Sequence, residues 1–393
     1  MKMPLVTAAL ALALSPLSAA AADDSGWRWD VRYRFEQVDD DAFARDANAH
    51  TLRLRLGYLW APHAQWRVFI EGEHVEAFGQ SYNSTANGRS AFPVVADPES
   101  TEVNQAWVSW QGEALKATVG RQRILLDNQR FVGNVGWRQN EQTYDALALH
   151  WKAGAALDLR YHYIDRVHRV FSDRAINPLL GERDHDSHLL HAGWNVASDQ
   201  RLAAYAYLLE DRDLPADSAA TFGLRWTGKR EVGEAALHWA LEYARQGDYG
   251  NQPADFSLDY TLIEPKLVWR GLTWTAGWER LHGNGQRGFA TPLATLHAFN
   301  GWADRFLATP PNGLEDLYLG AAGSVGKARW NLTWHDYRAA RGSARHGNEW
   351  NASLGMPLPG RWPVQALVKY ADYSARDFGS DVRKLWLQLE WKR

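Results

Sequence analysis

Apolar and polar residues alternate one by one along many stretches of this chain. The clearest stretch begins at residue 27, where the apolar positions are Trp27, Trp29, Val31, Tyr33 and Phe35. The intervening positions are all charged: Arg28, Asp30, Arg32, Arg34 and Glu36. Because successive side chains of a β-strand point to opposite faces of the sheet, this segment predicts a strand with one apolar face and one charged face.

The same alternation recurs through the rest of the sequence. Its apolar members include Leu52, Leu54, Leu56, Tyr58 and Trp60; Trp66, Val68 and Ile70; Leu157, Leu159, Tyr161 and Tyr163; and Leu385, Leu387, Leu389 and Trp391. We count about eighteen such segments of roughly ten residues, which is the length that a tilted strand needs to cross a bilayer. The pattern is typical of a transmembrane barrel with lipid outside and water inside.

The segments between the predicted strands are alternately short and long. The short ones are residues 61–64, 111–113, 152–154, 270–271 and 358–360. The long ones, several of them polar or rich in glycine, are residues 38–48, 77–100, 125–140, 167–184 and 281–313. Short periplasmic turns and long extracellular loops are typical of outer-membrane barrels. We therefore predict an all-β, closed antiparallel barrel of about eighteen strands, in contact with outer-membrane lipid and lipopolysaccharide.

Residues 1–22 have the features of a secretory signal peptide. Lys2 is followed by a mostly apolar run from Leu5 to Leu14 and by small residues that end at Ala22. A short basic start, an apolar core and a small-residue cleavage site are the three parts of such a peptide. We predict cleavage near Ala22 and one barrel domain over residues 23–393. No later apolar run approaches the ~20 residues of a spanning helix, and the first strand follows too soon to leave room for the plug domain of an energised transporter.

Composition narrows the function further. The chain has no cysteine, so extensive backbone pairing has to take the place of disulfides in an exported protein of this length. Its 21 tryptophans and 15 tyrosines fit aromatic belts at the lipid headgroups. A net charge of −3, with acids and bases interspersed, argues against nucleic acid as a partner. These properties favour an outer-membrane channel.

Two segments resemble the alginate export family of outer-membrane barrels. The first is Arg121-Gln122-Arg123 with the loop that follows it, through Trp137-Arg138-Gln139-Asn140 to Thr143-Tyr144-Asp145. The second runs from Thr291 to Phe299 and continues from Gly301 to Phe306. The resemblance spans nearly all of the exported chain. It implies an eighteen-stranded monomer with an electropositive lumen that passes an anionic uronate polysaccharide, and the chain looks more like the porin-like members of the family than like the alginate exporter.

The alternation assigns a set of arginines to the inner face of the barrel: Arg28, Arg32, Arg34, Arg53, Arg55 and Arg67. Guanidinium groups pair with carboxylates and phosphates, so these side chains predict a basic patch that favours anionic solutes, from small anions to polyuronate. The same wall carries the acids Asp30, Glu36, Glu71 and Glu73. Pairing with those acids would instead stiffen the wall without selecting a solute, and the sequence leaves both interpretations open.

Two of the long loops are candidates for constrictions inside the pore. The loop that follows Arg121 carries Arg123, Arg130 and Arg138, together with Asp127. The loop after residue 281 carries Arg287, His297, Asp304 and Arg305, and residues 293–306 read as a short helix. We expect His297 to be a hydrogen-bonding loop residue rather than a metal ligand. Inward folding of both loops would place these arginines in the path of the solute.

Other function classes have weaker support. Asp184-His185-Asp186-Ser187-His188 looks metal-like or catalytic, yet His185 and His188 point to opposite faces of a strand. Asp39-Asp40-Asp41 lacks the glycine spacing of a calcium loop, and no nucleophile elbow of the Gly-x-Ser-x-Gly type occurs. We therefore predict no catalytic residues, no metal and no cofactor. The remaining alternatives are a receptor or adhesin that uses the long extracellular loops and, with less support, an outer-membrane hydrolase.

Overall fold

A computed structural model describes residues 25–393; the predicted signal peptide lies outside the described residues. Within residues 25–393, eighteen β-strands make up one sheet. In chain order they are β1 (Gly26–Asp40), β2 (Ala47–His63), β3 (Trp66–Ala77), β4 (Ser100–Gln111), β5 (Leu115–Gln122), β6 (Thr143–Ala153), β7 (Leu157–His168), β8 (Glu182–Ala197), β9 (Gln200–Leu209), β10 (Ala219–Val232), β11 (Ala235–Gly247), β12 (Ser257–Trp269), β13 (Leu272–Leu281), β14 (Leu314–Val325), β15 (Ala328–Arg338), β16 (Arg345–Pro357), β17 (Gln365–Ala375) and β18 (Val382–Lys392).

Each strand pairs antiparallel with the next along the chain, and β1 also pairs with β18. The seam between first and last strands is long, since it runs from Asp30 opposite Lys392 to Asp40 opposite Val382. Among the described residues, closure leaves neither the first nor the last strand as a free edge of the sheet, which is what a bilayer requires of a spanning sheet. The predicted closed barrel of about eighteen strands is therefore confirmed.

The two ends of the barrel differ in their connections. Turns of two or three residues follow most even-numbered strands, for example 64–65 and 270–271. Loops follow the odd-numbered strands, and the longest are residues 78–99, 123–142 and 282–313. We call these two ends the turn end and the loop end. The first loop is shorter than predicted, only residues 41–46, because β1 pairs with β2 as far as Val38 opposite Ala47 and with β18 as far as Asp40.

Side chains alternate between the two faces of the sheet as the sequence predicts. On β2, Leu54, Leu56 and Trp60 are 44%, 48% and 54% exposed on the outer face. The intervening Arg53 and Arg55 are 0% and 4% exposed. The outer face is thus apolar and open to lipid, whereas the polar groups are enclosed within the barrel.

Tryptophans gather on the outer face at the turn end. They flank the short turns, and those that are exposed there include Trp60, Trp66, Trp151, Trp194, Trp269 and Trp362. Indole rings favour the headgroup level of a membrane because one end of the ring is apolar and the other carries an N–H donor. Part of the tryptophan content therefore lies at one membrane interface.

Helical structure is confined to the loops in the part of the chain that the structure describes. A four-residue helix, α1 (Pro178–Gly181), precedes β8, and single 3-10 turns occur at Pro215–Asp217 and Leu296–Ala298. Among residues 25–393, no helix is both apolar enough and long enough to cross a membrane. The hydrophobic cluster combines inner-face residues with residues of the long loops, so parts of these loops lie inside the barrel.

Candidate functional site: the loops inside the barrel

Two loops enter the lumen and bind to each other. We call residues 123–142 inner loop 1 and residues 282–313 inner loop 2. Val132 and Leu293 form a parallel β-bridge, and the Gly133 N–H donates to the Leu293 carbonyl at 2.9 Å. The Thr295 N–H likewise donates to the Gln129 carbonyl at 3.0 Å. The two segments that carry the family resemblance therefore form a single insert across the lumen.

Inner loop 1 is held by the arginines of β1 and β2. The Arg32 guanidinium donates to the carbonyls of Gly136 and Trp137 at 3.0 and 3.2 Å. Arg34 donates to the same Trp137 carbonyl at 2.5 Å, and its guanidinium lies 4.0 Å from the centre of the Trp137 ring. Arg55 donates to the Gln139 carbonyl at 3.1 Å. These arginines thus hold inner loop 1 against the wall. The alternation of side chains along a strand could not predict this role.

Acidic partners neutralise the same arginines. Arg32 lies 2.7 Å from Glu390 and Arg34 lies 3.5 Å from Asp97. Arg53 lies 2.6 Å from Asp30, and Arg55 forms an ion pair with Glu73. The guanidinium side chains of Arg32, Arg34, Arg53 and Arg55 are 10%, 0%, 0% and 5% exposed. Of the two interpretations that the sequence left open, pairing describes the geometry of these four residues.

Replacing Arg55 with methionine should lower the stability of the barrel. Glu73 and Glu141 both lie within ion-pair distance of Arg55 and are almost fully buried. Burial opposes ionisation of Glu141, but Arg55 and Arg123 lower its pKa to about 2. Removing one partner of a buried ion pair leaves an uncompensated charge and costs about 3–5 kcal/mol. The measurement is the temperature at which the barrel loses its compact gel mobility, which should fall.

Arg28→Met provides the matched control for this variant. Arg28 is exposed, and its guanidinium donates to the neighbouring Trp27 carbonyl. Its replacement should leave the transition temperature unchanged. Equal transition temperatures for Arg55→Met and Arg28→Met would show that the ion pairs of Arg55 contribute nothing to the fold.

Arg138 of inner loop 1 reaches inner loop 2 through Asp304. Arg138 donates to Glu36 at 3.0 Å and to Asp304 at 3.2 Å. Lys384 of β18 donates to the same Asp304 carboxylate at 2.7 Å. Although burial opposes ionisation, His297, Lys384 and Arg138 hold the pKa of Asp304 well below its usual range. This carboxylate therefore remains charged and ties the two inner loops to the wall.

His297 links Asp304 to a lysine on the opposite side of its ring. Its Nδ1 lies 2.7 Å from Asp304, and its Nε2 lies 2.6 Å from the ammonium of Lys369. A neutral ring with its proton on Nδ1 satisfies both contacts. Burial lowers the pKa of His297 well below the ordinary value, because desolvation and the Lys369 charge outweigh the attraction of Asp304. His297 is thus a hydrogen-bonding loop residue, in the neutral form.

Aromatic rings surround the Lys369 ammonium. It lies 3.8 Å from the centre of the Trp302 ring, 4.1 Å from that of Trp137 and 5.4 Å from that of Trp386. The Trp137 ring also stacks on His297, with ring centres 4.7 Å apart and planes 9° apart. Such cation–π contacts stabilise a buried ammonium that has little water around it. Lys369 and Trp386 were not among the predicted site residues, although they lie opposite each other at inner-face positions of β17 and β18.

Arg130 anchors the far side of the insert. It is 2% exposed and donates to Glu279 at 2.7 Å and to Asn300 at 3.0 Å. Asn300 in turn donates to Glu279 at 2.6 Å and to Asp316 at 3.1 Å. The insert is therefore fixed to β13 and β14 as well as to β1, β2 and β18.

The predicted helix over residues 293–306 is wrong. The structure has a single 3-10 turn there, Leu296–Ala298. Asn300, Gly301 and Asp304 have φ angles of 53°, 85° and 61°, in the left-handed region that interrupts a right-handed helix. Those backbone reversals direct Asn300 and Asp304 to their partners on the wall.

The remaining predicted site residues lie at the edges of the insert. Arg123 is partly exposed and pairs with Glu141 and Glu71. Arg305 forms an ion pair with Asp40 at 2.8 Å, so the Asp40 carboxylate is bound to a guanidinium group.

Two more of the predicted residues, Arg287 and Arg67, lie at opposite ends of the barrel. Arg287 stacks over the Phe256 ring at 3.8 Å and lines a cavity of about 610 Å³ at the loop end. Arg67 lies on the inner face of β3 opposite Ser109, near the turn end.

The histidine-rich stretch of β8 forms a buried polar cluster. The histidine in contact with Ser187 is His185 and not the adjacent His188. The Ser187 hydroxyl lies 3.1 Å from His185 Nδ1. The other ring nitrogen, His185 Nε2, lies 3.7 Å from Asp211. Ser187 is 0% exposed and accepts a hydrogen bond from the Glu210 N–H at 3.0 Å. A substrate cannot reach this serine. Within residues 25–393, no three or more His, Asp or Glu side chains come together as a metal site.

Comparisons with known proteins agree with this architecture. The chain resembles the outer membrane protein OpdK of Pseudomonas aeruginosa at 14% identity and a TM-score of 0.75, over 95% of this chain and 100% of that chain. It resembles OccAB2 of Acinetobacter baumannii to the same extent, again at 14% identity, a TM-score of 0.75 and coverage of 95% and 100%. At this identity the likeness shows a common fold, that of an outer-membrane porin. No protein with a curated description matches the sequence.

The family model described as alginate export matches residues 27–278. This range contains inner loop 1 and the first of the two motifs. The second motif, residues 291–306, lies beyond the match, although in the structure it is bound to the first. Because the match covers more than half of the sequence, the chain belongs to the alginate export family of outer-membrane β-barrels.

Proposed function

We propose that this barrel is a passive channel for anionic solutes, with the two inner loops as its constriction. The observation that carries the proposal is the charge on the inner face between the insert and the turn end. There the basic positions are Arg28, Arg67, Lys116, Lys152, Arg160, Arg201, Lys229, Lys266, Arg329 and Lys392. The acidic positions are Asp30, Asp158, Glu231, Glu264 and Glu390.

Bases clearly outnumber acids on this part of the wall, and these bases are exposed or partly exposed. Rings of basic side chains favour anions in pores because they raise the local anion concentration. The arginines that dock inner loop 1 contribute less, since carboxylates neutralise them. A porin of similar fold, OpdK, has been solved with vanillate, which is an anion. The family likeness suggests uronate oligosaccharides as one class of solute.

The test is the reversal potential of purified protein in planar bilayers under a KCl gradient. We expect the sign that indicates chloride preference. Replacing Lys116 and Lys152 with glutamine should move the reversal potential toward zero, because both lie on the inner wall at the turn end. Lys327→Gln, in the turn between β14 and β15, is the matched control and should change nothing. Cation preference in the unmodified protein would refute the proposed function.

A further inference from the structure

A group of charged residues on β6, β7 and β9 lies well away from the arginines of β1 and β2. We call it the Asp158 cluster: Asp158, His150, Arg160 and Arg201. The Asp158 carboxylate lies 2.5 Å from His150 Nε2, 2.9 Å from Arg160 Nε and 3.6 Å from an Arg201 Nη. One carboxylate thus faces two guanidinium groups and an imidazole. The cluster keeps an excess of positive charge even with a neutral histidine.

This cluster is open to the lumen. The side chains of His150, Arg160 and Arg201 are 28%, 31% and 32% exposed, whereas that of Asp158 is 16% exposed. The cations are therefore more accessible than the carboxylate that holds them. The arginines under inner loop 1, by contrast, are almost completely covered.

Gly193 on β8 makes room for one of the two guanidinium groups. A Cβ atom at Gly193 would overlap the guanidinium of Arg201, which approaches the backbone of β8 at this point. The φ angle of Gly193 is outside the left-handed region, so the backbone does not demand glycine here. Arg201 also donates to Asn195 at 3.2 Å. The absence of a side chain at Gly193 therefore positions Arg201 beside Asp158.

A buried histidine adjoins the cluster. His162 is two residues from Arg160 on the inner face of β7 and is 9% exposed. Within the described residues 25–393, neither of its ring nitrogens has a hydrogen-bond partner. Buried polar groups in folded proteins are almost always bonded. A bound oxyanion beside Arg160 would supply an acceptor at this point of the wall.

We propose that the Asp158 cluster is an oxyanion-binding subsite, which takes a carboxylate or phosphate group of a solute on its way through the lumen. The inference rests on the proposed function and adds a defined binding position to it. Guanidinium groups recognise both kinds of oxyanion through paired N–H donors. Asp158 moderates the attraction because it occupies some of those donors. Conduction requires such moderate binding, strong enough for entry and weak enough for release.

The experiment measures block of the chloride current through the full-length protein in planar bilayers at pH 7.4. Inorganic phosphate and succinate are added separately, so that the two oxyanion types can be distinguished. We expect millimolar block of the unmodified channel by at least one of them. The double variant Arg160→Gln/Arg201→Gln should raise the half-blocking concentration at least tenfold for that anion.

Gly193→Ala is the more selective variant because it removes no charge. We expect it to displace Arg201 and raise the half-blocking concentration several-fold, with the reversal potential in KCl little changed. Gly355→Ala is the matched control: Gly355 also lies on the inner face, and a Cβ there meets only ordinary contacts at 3.7 Å. It should leave block unchanged. If Gly193→Ala fails to fold, Arg201→Gln alone takes its place.

The outcomes separate the subsite from the proposed function. Cation preference of the unmodified channel overturns both. Chloride preference without block by either anion, or with equal block before and after the arginine replacements, overturns the subsite and leaves the anion channel standing. Loss of block in the double variant and in Gly193→Ala, with block retained in Gly355→Ala, supports the subsite.

Discussion

Replacing Trp137 with alanine is expected to raise the single-channel conductance several-fold. The Trp137 ring lies between the Arg34 guanidinium at 4.0 Å and the His297 ring at 4.7 Å, and it contacts the Lys369 ammonium at 4.1 Å. Its loss removes the ring against which Arg34, Lys369 and His297 pack, which is one of the main contacts between the inner loops and the wall. Truncation of a well-packed tryptophan costs about 3–5 kcal/mol, which should release the insert before it unfolds the barrel. Planar-bilayer recording gives the conductance.

Trp350→Ala is the control for that experiment. Trp350 is 49% exposed on the outer face of β16, so it is equally large but has no part in the insert. Its replacement should leave the conductance as it was. If Trp137→Ala and the unmodified channel have equal conductance, the insert stays in place without the Trp137 ring, and the ring does not hold the constriction closed.

Acidification is expected to open the constriction through His297. The pKa of this ring is lowered well below the ordinary value in the docked state, whereas a ring released to water titrates near 6.5. Between those two pKa values the released state binds the additional proton. The docked state therefore becomes less stable relative to the released state as the pH falls below about 6.5, by at most about 1.4 kcal/mol per pH unit. An imidazolium would also face the Lys369 ammonium, 2.6 Å from Nε2.

The measurement is the open probability between pH 7.5 and pH 5, which should rise toward acid. Asp304 does not reverse this trend, because its pKa is held well below its usual range and it stays ionised throughout that interval. His297→Gln retains a donor and an acceptor but cannot be protonated, so it should flatten the pH profile. His282→Gln, in the same loop, is the matched control. A profile that stays steep in His297→Gln would assign the titration to another group.

Much of the fold was predictable because β-strands encode their faces with a period of two residues. Leu54 and Leu56 on the outer face, and Arg53 and Arg55 on the inner face, follow directly from that period. The predicted strand count and the rhythm of short and long connections also agree with the structure. The signal peptide, residues 1–22, stays a prediction.

The site was predictable only in part. Alternation placed Arg34 on the inner face, but it could not show that the partner of Arg34 would be the backbone of a loop about a hundred residues away. The contacts of His297 with Lys369, and of Asp304 with Lys384, join a loop without any periodicity to strands much later in the chain. Such contacts depend on barrel closure and register, which no local pattern carries.

The seam between β1 and β18 has a consequence for the order of assembly. Inner loop 1 rests on Arg32 and Arg34 of the first strand and on Trp386 of the last. Arg32 and Arg34 are themselves oriented by Glu390 and Gln388 across the seam. Part of this surface comes from each end of the chain. Inner loop 1 can therefore make all of these contacts only after β1 and β18 have paired, and a barrel whose seam is open lacks part of the surface that holds the insert.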